Sequence, residues 1–366
     1  MSKWEEKRLE DIIDVNPPVK LKKGESYPFI DIDKVSPTRR SVTNEEVKVY
    51  DGQSSSKFCD GDTVFSRITP CLENRKIAKV AIEGDAAFGS TEFYVFRAKK
   101  KKADARFTYY LTSSDAVVLP AINSMTGASG RQRADKRFIQ RLKLNLPDLP
   151  TQERIADILS AYDDLIEANN HRIELLEQTA QELYREWFVR FRFPGYENAK
   201  FEDGIPEGWS YVRFGKAIDI IDGDRGVNYP KQEEFYPEGD CLFLNAGNVT
   251  SKGFNFSACS YITKEKDSIL RKGKLQHGDV VLTTRGTVGN VAFYNETMTF
   301  SEMRINSGMV ILRNLGVVSP EYIYTSLHHE YLQKLMTMYA SGSAQPQLPI
   351  KDMKRMKIIK PDAKTM

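Results

Sequence analysis

The sequence predicts a mixed α/β (α+β) fold: two similar domains joined by a long coiled-coil helix. Three observations carry that prediction. Short motifs recur in the same order a little over 200 residues apart, each copy alternates β-rich runs with a helix-like stretch, and an unbroken apolar 4-3 pattern lies between the copies. A repeat of this length is too long for a solenoid and indicates duplicated domains. With 366 residues the chain is long enough for two or three domains with cores of their own.

The duplication opens on GDTVFSR at 61–67 and GDVVLTTRG at 278–286, where a β-branched run ends in a polar tip. Gly61-Asp62 matches Gly278-Asp279, and Ser90 before EFYVFR matches Ser307 before GMVILR. Phe107 and Tyr109 match Tyr322 and Tyr324, Gly127 matches Gly342, and Pro147-Asp148 matches Pro361-Asp362. Trp4 has a counterpart in Trp209 of PEGW. Within each copy, short β-rich runs (TVF, KVAI, FYVF; VVL, NVAF, MVIL) precede a helix-like stretch with aromatics, FTYYLTSSDAVVL or YIYTSLHHEYLQKLM. A Gly/Ser-rich segment follows, GASGRQR or SGSAQPQ, and then a basic apolar strand, RLKLNLP or MKIIKP. The boundaries this implies are 1–150 for the first domain, 151–195 for the connecting helix and 196–366 for the second domain.

For the connecting helix, Thr151 after Pro150 is the expected N-cap. Ile155, Leu159, Tyr162, Ile166, Asn169, Ile173, Leu176, Ala180, Leu183 and Trp187 then step by 4 and 3 for about five heptads. No Pro or Gly interrupts the run before Pro194-Gly195. A helix of about 40 residues rises roughly 60 Å. Asn169, the one polar seam position, has the character of a register-fixing residue. Such a stripe must be buried against something. By the repeat, its partner should follow Pro361-Asp362, but the sequence stops at Met366. The expectation is therefore truncation at that point, or a partner helix supplied by a second chain.

Composition and motifs exclude several function classes. No apolar run reaches the 18 or so residues of a membrane span, and the charged start MSKWEEKRLEDIID lacks the apolar core of a signal peptide, so a cytoplasmic protein is expected. Cys59, Cys71, Cys241 and Cys259 lie far apart without CxxC spacing, which favours reduced thiols over a zinc site. The chain has no GxxxxGK[ST], GxGxxG or HExxH motif. Asn16-Pro17-Pro18-Val19 is close to the NPP[YF] motif of DNA amino-methyltransferases, but Val19 replaces the stacking aromatic and only 15 residues precede the motif, so it reads as a turn. His171, His277, His328 and His329 form no triad or metal spacing, and no carboxylate pair stands out as an acid/base couple. No metal ligand and no catalytic residue is assigned.

Nucleic-acid binding fits the residues better. Residues 97–143 carry twelve Lys or Arg against three Asp, whereas 151–190 carry nine acidic side chains against four arginines. The first segment, with its KKKK run at 99–102, is basic enough to seek a polyanion. The second polar tip offers Thr283, Thr284, Arg285, Gly286 and Thr287, and the first offers Ser66, Arg67 and Thr69. The Gly/Ser segments add Ser129, Arg131, Gln132 and Arg133 in one copy and Ser341, Ser343, Gln345 and Gln347 in the other. Short hydroxyls, guanidinium groups and close-approaching backbone amides suit phosphate oxygens, and Gln and Arg can pair bidentately with adenine and guanine.

The chain resembles the specificity subunit of type I restriction-modification systems over nearly its whole length. The resemblance rests most on LPDLPTQERIADILSAYDDLIEANNHRIELLE, with its LP-x-x-x-Q-x-x-I-x-x-I-L wording followed by D-x-x-I. PEGW at 206–209, DGDRGVNYP at 222–230 and GDVVLTTRGTVGNVAF resemble segments of the second recognition domain, while SRITPCLENRKIAKV in the first copy departs from the glycine-bearing tip. The resemblance implies two target recognition domains, each reading one half of a bipartite double-stranded DNA target. It further implies a helix pair that sets the spacing of the half-sites, two docked modification subunits bringing S-adenosylmethionine, and restriction subunits bringing ATP, magnesium and the nuclease. No cofactor is implied in this chain, and a second copy is one source of the partner helix. The competing expectations are a stand-alone DNA-modifying or cleaving enzyme and an adaptor acting through the coiled coil alone.

Overall fold

The computed structural model describes residues 4–44, 46–342, 345–362 and 365. The chain divides into two compact units that meet between His171 and Arg172.

In the first unit the apolar runs pair into a five-stranded sheet, in the order Ile13–Val15, Phe93–Ala98, Thr63–Ser66, Ile77–Val80, Ser41–Val42. Its central strands are buried on both faces, so they read as near-continuous apolar runs. Side chains still alternate. Phe65, Tyr94 and Phe96 enter one core with Leu9, Val117 and Ile139, while Val64, Phe93 and Val95 enter another with Ile30 and Phe58. A four-stranded sheet lies beyond the second core, in the order Val47–Val49, Ser26–Ile30, Ala87–Gly89, Ser56–Phe58.

The second unit repeats this plan. Its sheet runs Ile218–Asp222, Met309–Asn314, Val280–Thr283, Val291–Phe293. Val280, Leu282, Val310 and Leu312 face one core, and Val281, Met309 and Ile311 face the other. The matched residues of the repeat do the same work in both copies. Asp104 accepts from Phe107 N at 2.9 Å to cap helix Ala105–Ser113, and Ser319 accepts from Tyr322 N at 3.1 Å to cap helix Pro320–His328. A two-stranded antiparallel ribbon closes each unit, Trp4–Arg8 with Lys143–Pro147 and Ser210–Arg213 with Lys357–Lys360.

Gly61 and Gly278 both take left-handed φ, +79° and +89°, as the turn into the central strand requires. The aspartate that follows is buried in each copy. Asp62 accepts from Cys59 N at 2.7 Å and from Arg97 Nε and Nη2 at 2.7 and 2.6 Å. Asp279 accepts from Gln276 N at 2.7 Å and from Arg313 Nε and Nη2 at 2.9 and 2.7 Å. The recurring Gly-Asp thus belongs to a buried ion pair at the strand end opposite the polar tip.

The connecting helix runs Leu149–Tyr184 and ends in a π-helical turn, Arg185–Val189. The expected Thr151 cap is corrected. The helix begins two residues earlier, and Asp148 Oδ1 accepts from Thr151 N at 3.2 Å, so the Asp148 carboxylate takes the capping role. At its start Gln152 and Ala156 are buried. At its end Tyr184 and Phe188 pack on Tyr322, with ring centroids 5.6 and 4.9 Å away. Between them the seam is open: Tyr162 is 65%, Ile166 55%, Ile173 53% and Leu176 62% exposed. Leu159, Asn169, Ala180 and Leu183 are exposed as well, and Ile155 and Trp187 are half-buried. No described residue covers the middle of the stripe.

Removing one member of a buried ion pair strands the other charge, which costs about 3 kcal/mol or more where both are fully buried. Arg97 and Arg313 keep part of their side chains in solvent. Asp62→Ala and Asp279→Ala are each expected to destabilise their own domain by about 2 kcal/mol. Denaturant unfolding of the full chain, followed by a probe in the affected domain, checks this; a change under about 0.5 kcal/mol would contradict it.

Candidate nucleic-acid interface

The polar tip of the second unit forms where strand Val280–Thr283 meets the segment after helix Glu330–Tyr339. Leu348 N donates to Thr284 O at 2.9 Å and Gly286 N to Pro346 O at 3.1 Å. Ser341 and Gln347 exchange backbone hydrogen bonds of 2.9 and 2.8 Å, which closes a short loop around Gly342, whose φ is +101°. The first unit uses the same construction. Thr126 and Arg133 exchange bonds of 3.1 and 2.9 Å around Gly127 at φ +126°, and Thr69 N donates to Gln132 O at 3.0 Å. Single bridges join Ile68 to Arg133 and Arg285 to Gln347. The structure therefore brings each polar strand end and its Gly/Ser segment together, as matched halves of one surface per domain.

Within each tip the sequence-derived residues separate by burial. Four of the hydroxyls face inward. Ser66 Oγ donates to Lys76 O at 2.7 Å, and Thr69 Oγ1 accepts from Gln132 N at 3.1 Å. Thr283 Oγ1 accepts from Asn290 N at 3.0 Å, and Thr284 Oγ1 donates to Gly308 O at 3.2 Å. All four are buried, so the expectation that their side chains face a ligand is corrected: they hold the tips in shape. Ser129, Arg131, Arg133, Gly286, Thr287, Ser341, Gln345 and Gln347 are exposed; Arg67, Gln132 and Arg285 are half-buried. Ser343 lies outside the described residues. Arg285 Nε is buried without an acceptor among the described residues.

Two features were not foreseen. The backbone N–H of Arg67 donates to Glu92 O at 2.9 Å, as that of Thr284 does to Gly308 O at 2.9 Å, so Arg67 stands where Thr284 does. Glu92 thus occupies the place of Gly308. Its carboxylate accepts from Arg67 Nε at 3.2 Å and from Arg133 Nε and Nη2 at 2.9 and 2.6 Å. The basic stretch 97–143 is also divided: Lys99 and its neighbours follow the Ala98 end of strand Phe93–Ala98, and the tip sits at its Phe93 end. Only the Arg131–Arg133 part serves the tip.

Among the described residues there is no group of three or more His, Cys, Asp or Glu that could hold a metal ion. His277 stacks on Tyr294 at 4.5 Å, the Nδ1 of His328 lies 2.9 Å from Tyr324 O, and the Nδ1 of His329 accepts from Tyr331 N at 3.3 Å. Asn16, in the Asn-Pro-Pro segment, takes φ +56° and accepts from Val95 N through Oδ1 at 2.8 Å, so it terminates strand Ile13–Val15.

Comparison with known proteins follows the same division of the chain. The family model described as type I restriction modification DNA specificity domain matches residues 1–178 and 206–365. Over 236 residues the chain is 27% identical to the type I restriction enzyme MjaVIII specificity subunit of Methanocaldococcus jannaschii, covering 62% of this chain and 53% of that protein. It is 23% identical to the MjaIX specificity subunit of the same organism, covering 98% of this chain and 83% of that protein. Among solved structures, the type I restriction-modification system S subunit from M. genitalium shares the fold, with a TM-score of 0.54, 13% identity and coverage of 98% of this chain and 84% of that one.

The flanking guanidinium groups, Arg133 before Arg67, hold the Glu92 carboxyl below its ordinary value near 4.5. A depressed carboxyl contributes stability that is present above its unfolded pKa and lost as pH falls through the folded one. The carboxyl of Glu92 should therefore titrate with a midpoint below 4.5 in a carbon-13 NMR titration; a midpoint above that value would contradict the ion pairs.

Proposed function

The chain belongs to the type I restriction modification DNA specificity domain family, and from that membership we propose that it is the DNA-sequence-recognition subunit of a type I restriction-modification complex. In this reading each unit reads one half of a bipartite double-stranded target in the major groove. One observation supports it most: both units join a strand end to a Gly-bearing loop by matched backbone bonds, leaving Arg131 and Arg133 exposed in the first and Thr287, Gln345 and Gln347 in the second. Exposed guanidinium and carboxamide groups on a rigid strand end are the donors and acceptors that direct readout needs.

The subunit acts without a cofactor of its own in this proposal. Modification subunits, two per complex, bring S-adenosylmethionine, and restriction subunits bring ATP and magnesium. The modification subunits dock along the connecting helix. Its open seam, Tyr162 to Leu176, takes a helix of like pattern from a second copy of the chain. No helix among the described residues is long and apolar enough to cross a membrane, and the proposed setting is the cytoplasm.

Selection of the full chain on a randomised duplex library should return two short conserved blocks separated by unread positions; one continuous block would overturn the two-domain reading. Arg285 lies at a tip, whereas Arg190 pairs with Glu186 at the end of the helix. Arg285→Ala should weaken binding by about tenfold and Arg190→Ala by less than about twofold, a contrast in line with one good base or phosphate contact. Equal losses in a titration would refute the assignment of the tip. Ile166→Lys combined with Leu176→Lys should lower the mass measured by light scattering from that of a dimer to that of a monomer, and an unchanged dimer would exclude the seam as its interface.

A further inference from the structure

The two tips share a backbone plan but not their charge. Where the second unit has Gly308, the first has Glu92, and no side chain at Gly308 could do what that carboxylate does. Glu92 lies between two guanidinium groups from different segments, Arg67 at the strand end and Arg133 in the Gly127 loop. Arg133 gives Glu92 its Nε and Nη2, and Arg67 gives its Nε. Arg67 keeps both Nη groups off the carboxylate, whereas Nη1 of Arg133 also makes a long contact, 3.5 Å, to Arg131 O in its own loop; a guanidinium whose terminal Nη edge is released from so long a contact can span two acceptors side by side. Arg67 also lies over the Tyr94 ring, 5.5 Å from its centroid, and the Tyr94 hydroxyl donates to Ala134 O at 2.7 Å, next to Arg133. Ring, carboxylate and loop thus fix both guanidinium planes together.

We propose that Glu92 is a positioning residue that holds Arg67 and Arg133 as a double fork reading guanine in the half-site of the first domain. Guanine is the base whose major-groove edge offers two acceptors, O6 and N7. Both Glu92 oxygens are occupied by arginine donors, so the carboxylate is not available to accept from a cytosine amino group. One carboxylate against two guanidinium groups leaves the cluster net positive, as a surface facing phosphates must be. A lone arginine on a mobile loop reaches phosphates and bases alike; one tied at Nε presents its remaining edge in a single direction. With Gly308 in that place the second tip has no equivalent among the described residues, so its half-site should not depend on such a fork. This inference rests on the DNA-recognition reading above.

The test is selection on a randomised duplex library by the full-length wild type, Glu92→Gln and Arg133→Lys. Glutamine keeps the size of the side chain but removes the charge and sets an amide NH₂ against the guanidinium groups. Lysine keeps the charge of Arg133 but not the fork. The wild type should select guanine in one block, and both variants should lose that preference by about tenfold, the scale of one bidentate pair. Preferences at the remaining positions of the same block should be unchanged, which reports that the first domain of each variant is folded, and those of the other block should not change either. Uniformly weaker binding with guanine still preferred would mean that the arginines touch only phosphates, and would overturn the proposal. A wild type that selects a split target without guanine in either block overturns the inference and leaves the DNA-recognition reading intact; a wild type that selects no split target overturns both.

Discussion

The ion pair between a buried aspartate and an arginine on the neighbouring strand is the constraint on which the rest of each domain depends. Asp62 immediately precedes strand Thr63–Ser66, and Arg97 lies near the end of strand Phe93–Ala98. The bidentate contact fixes the register in which Thr63 opposes Phe96 and Ser66 opposes Phe93. Asp279 and Arg313 do the same for the second unit, where Thr283 opposes Met309. A slip of one residue would send Val64 and Phe65, or Val281 and Leu282, to the wrong cores. It would also move the tip. The charge pair at one end of the strand therefore sets the position of the polar surface at the other.

From that anchoring follows the division of labour within the tips. A strand end that leaves a sheet must satisfy its last backbone groups, and the inward hydroxyls of Ser66, Thr69, Thr283 and Thr284 help to do so. With those groups committed, the loops are held by backbone hydrogen bonds, and the side chains left outside among the described residues include the long polar ones of Arg131, Arg133, Gln345 and Gln347. This is the arrangement that specific recognition favours, because a preorganised donor loses less entropy on binding than a mobile one. The same scaffold then carries different chemistry with little change: a carboxylate between two arginines in one domain, a glycine beside Arg285 in the other.

How much of this was legible in the sequence depended on the range of the interaction. The duplication, the strand runs and the helix were readable because they are set by local pattern: alternation in FYVF and MVIL, and 4-3 spacing in the connecting helix. The repeat even contained the anchoring pair, since EFYVFR and GMVILR end in Arg97 and Arg313, but nothing in a linear motif says which arginine meets which aspartate. Thr and Ser in a polar tip read as exposed because composition carries no information on which face a hydroxyl takes. Thr151 after Pro150 reads as a cap from local pattern alone, yet Pro is well tolerated in the first turn of a helix, and the helix begins at Leu149. Glu92 was invisible for a stronger reason: it matters only through Arg67 and Arg133, which lie 25 and 41 residues away.

The connecting helix poses the complementary problem, a local pattern whose meaning is entirely non-local. Its open seam, Tyr162 to Leu176, is only as long as an isolated helix that is marginal in water, so it keeps its form as the middle of a longer helix packed at its start and its end. It does expose Tyr162, Ile166, Ile173 and Leu176 in one stripe, and burying each such side chain contributes about 1.5–3 kcal/mol. The nine carboxylates and four arginines of 151–190 lie along the same stretch, and their self-repulsion keeps like helices apart unless the apolar stripe is satisfied. Asn169, exposed in the middle of the stripe, adds nothing to apolar burial; a polar side chain at such a position costs least in a closed seam where it faces another polar group.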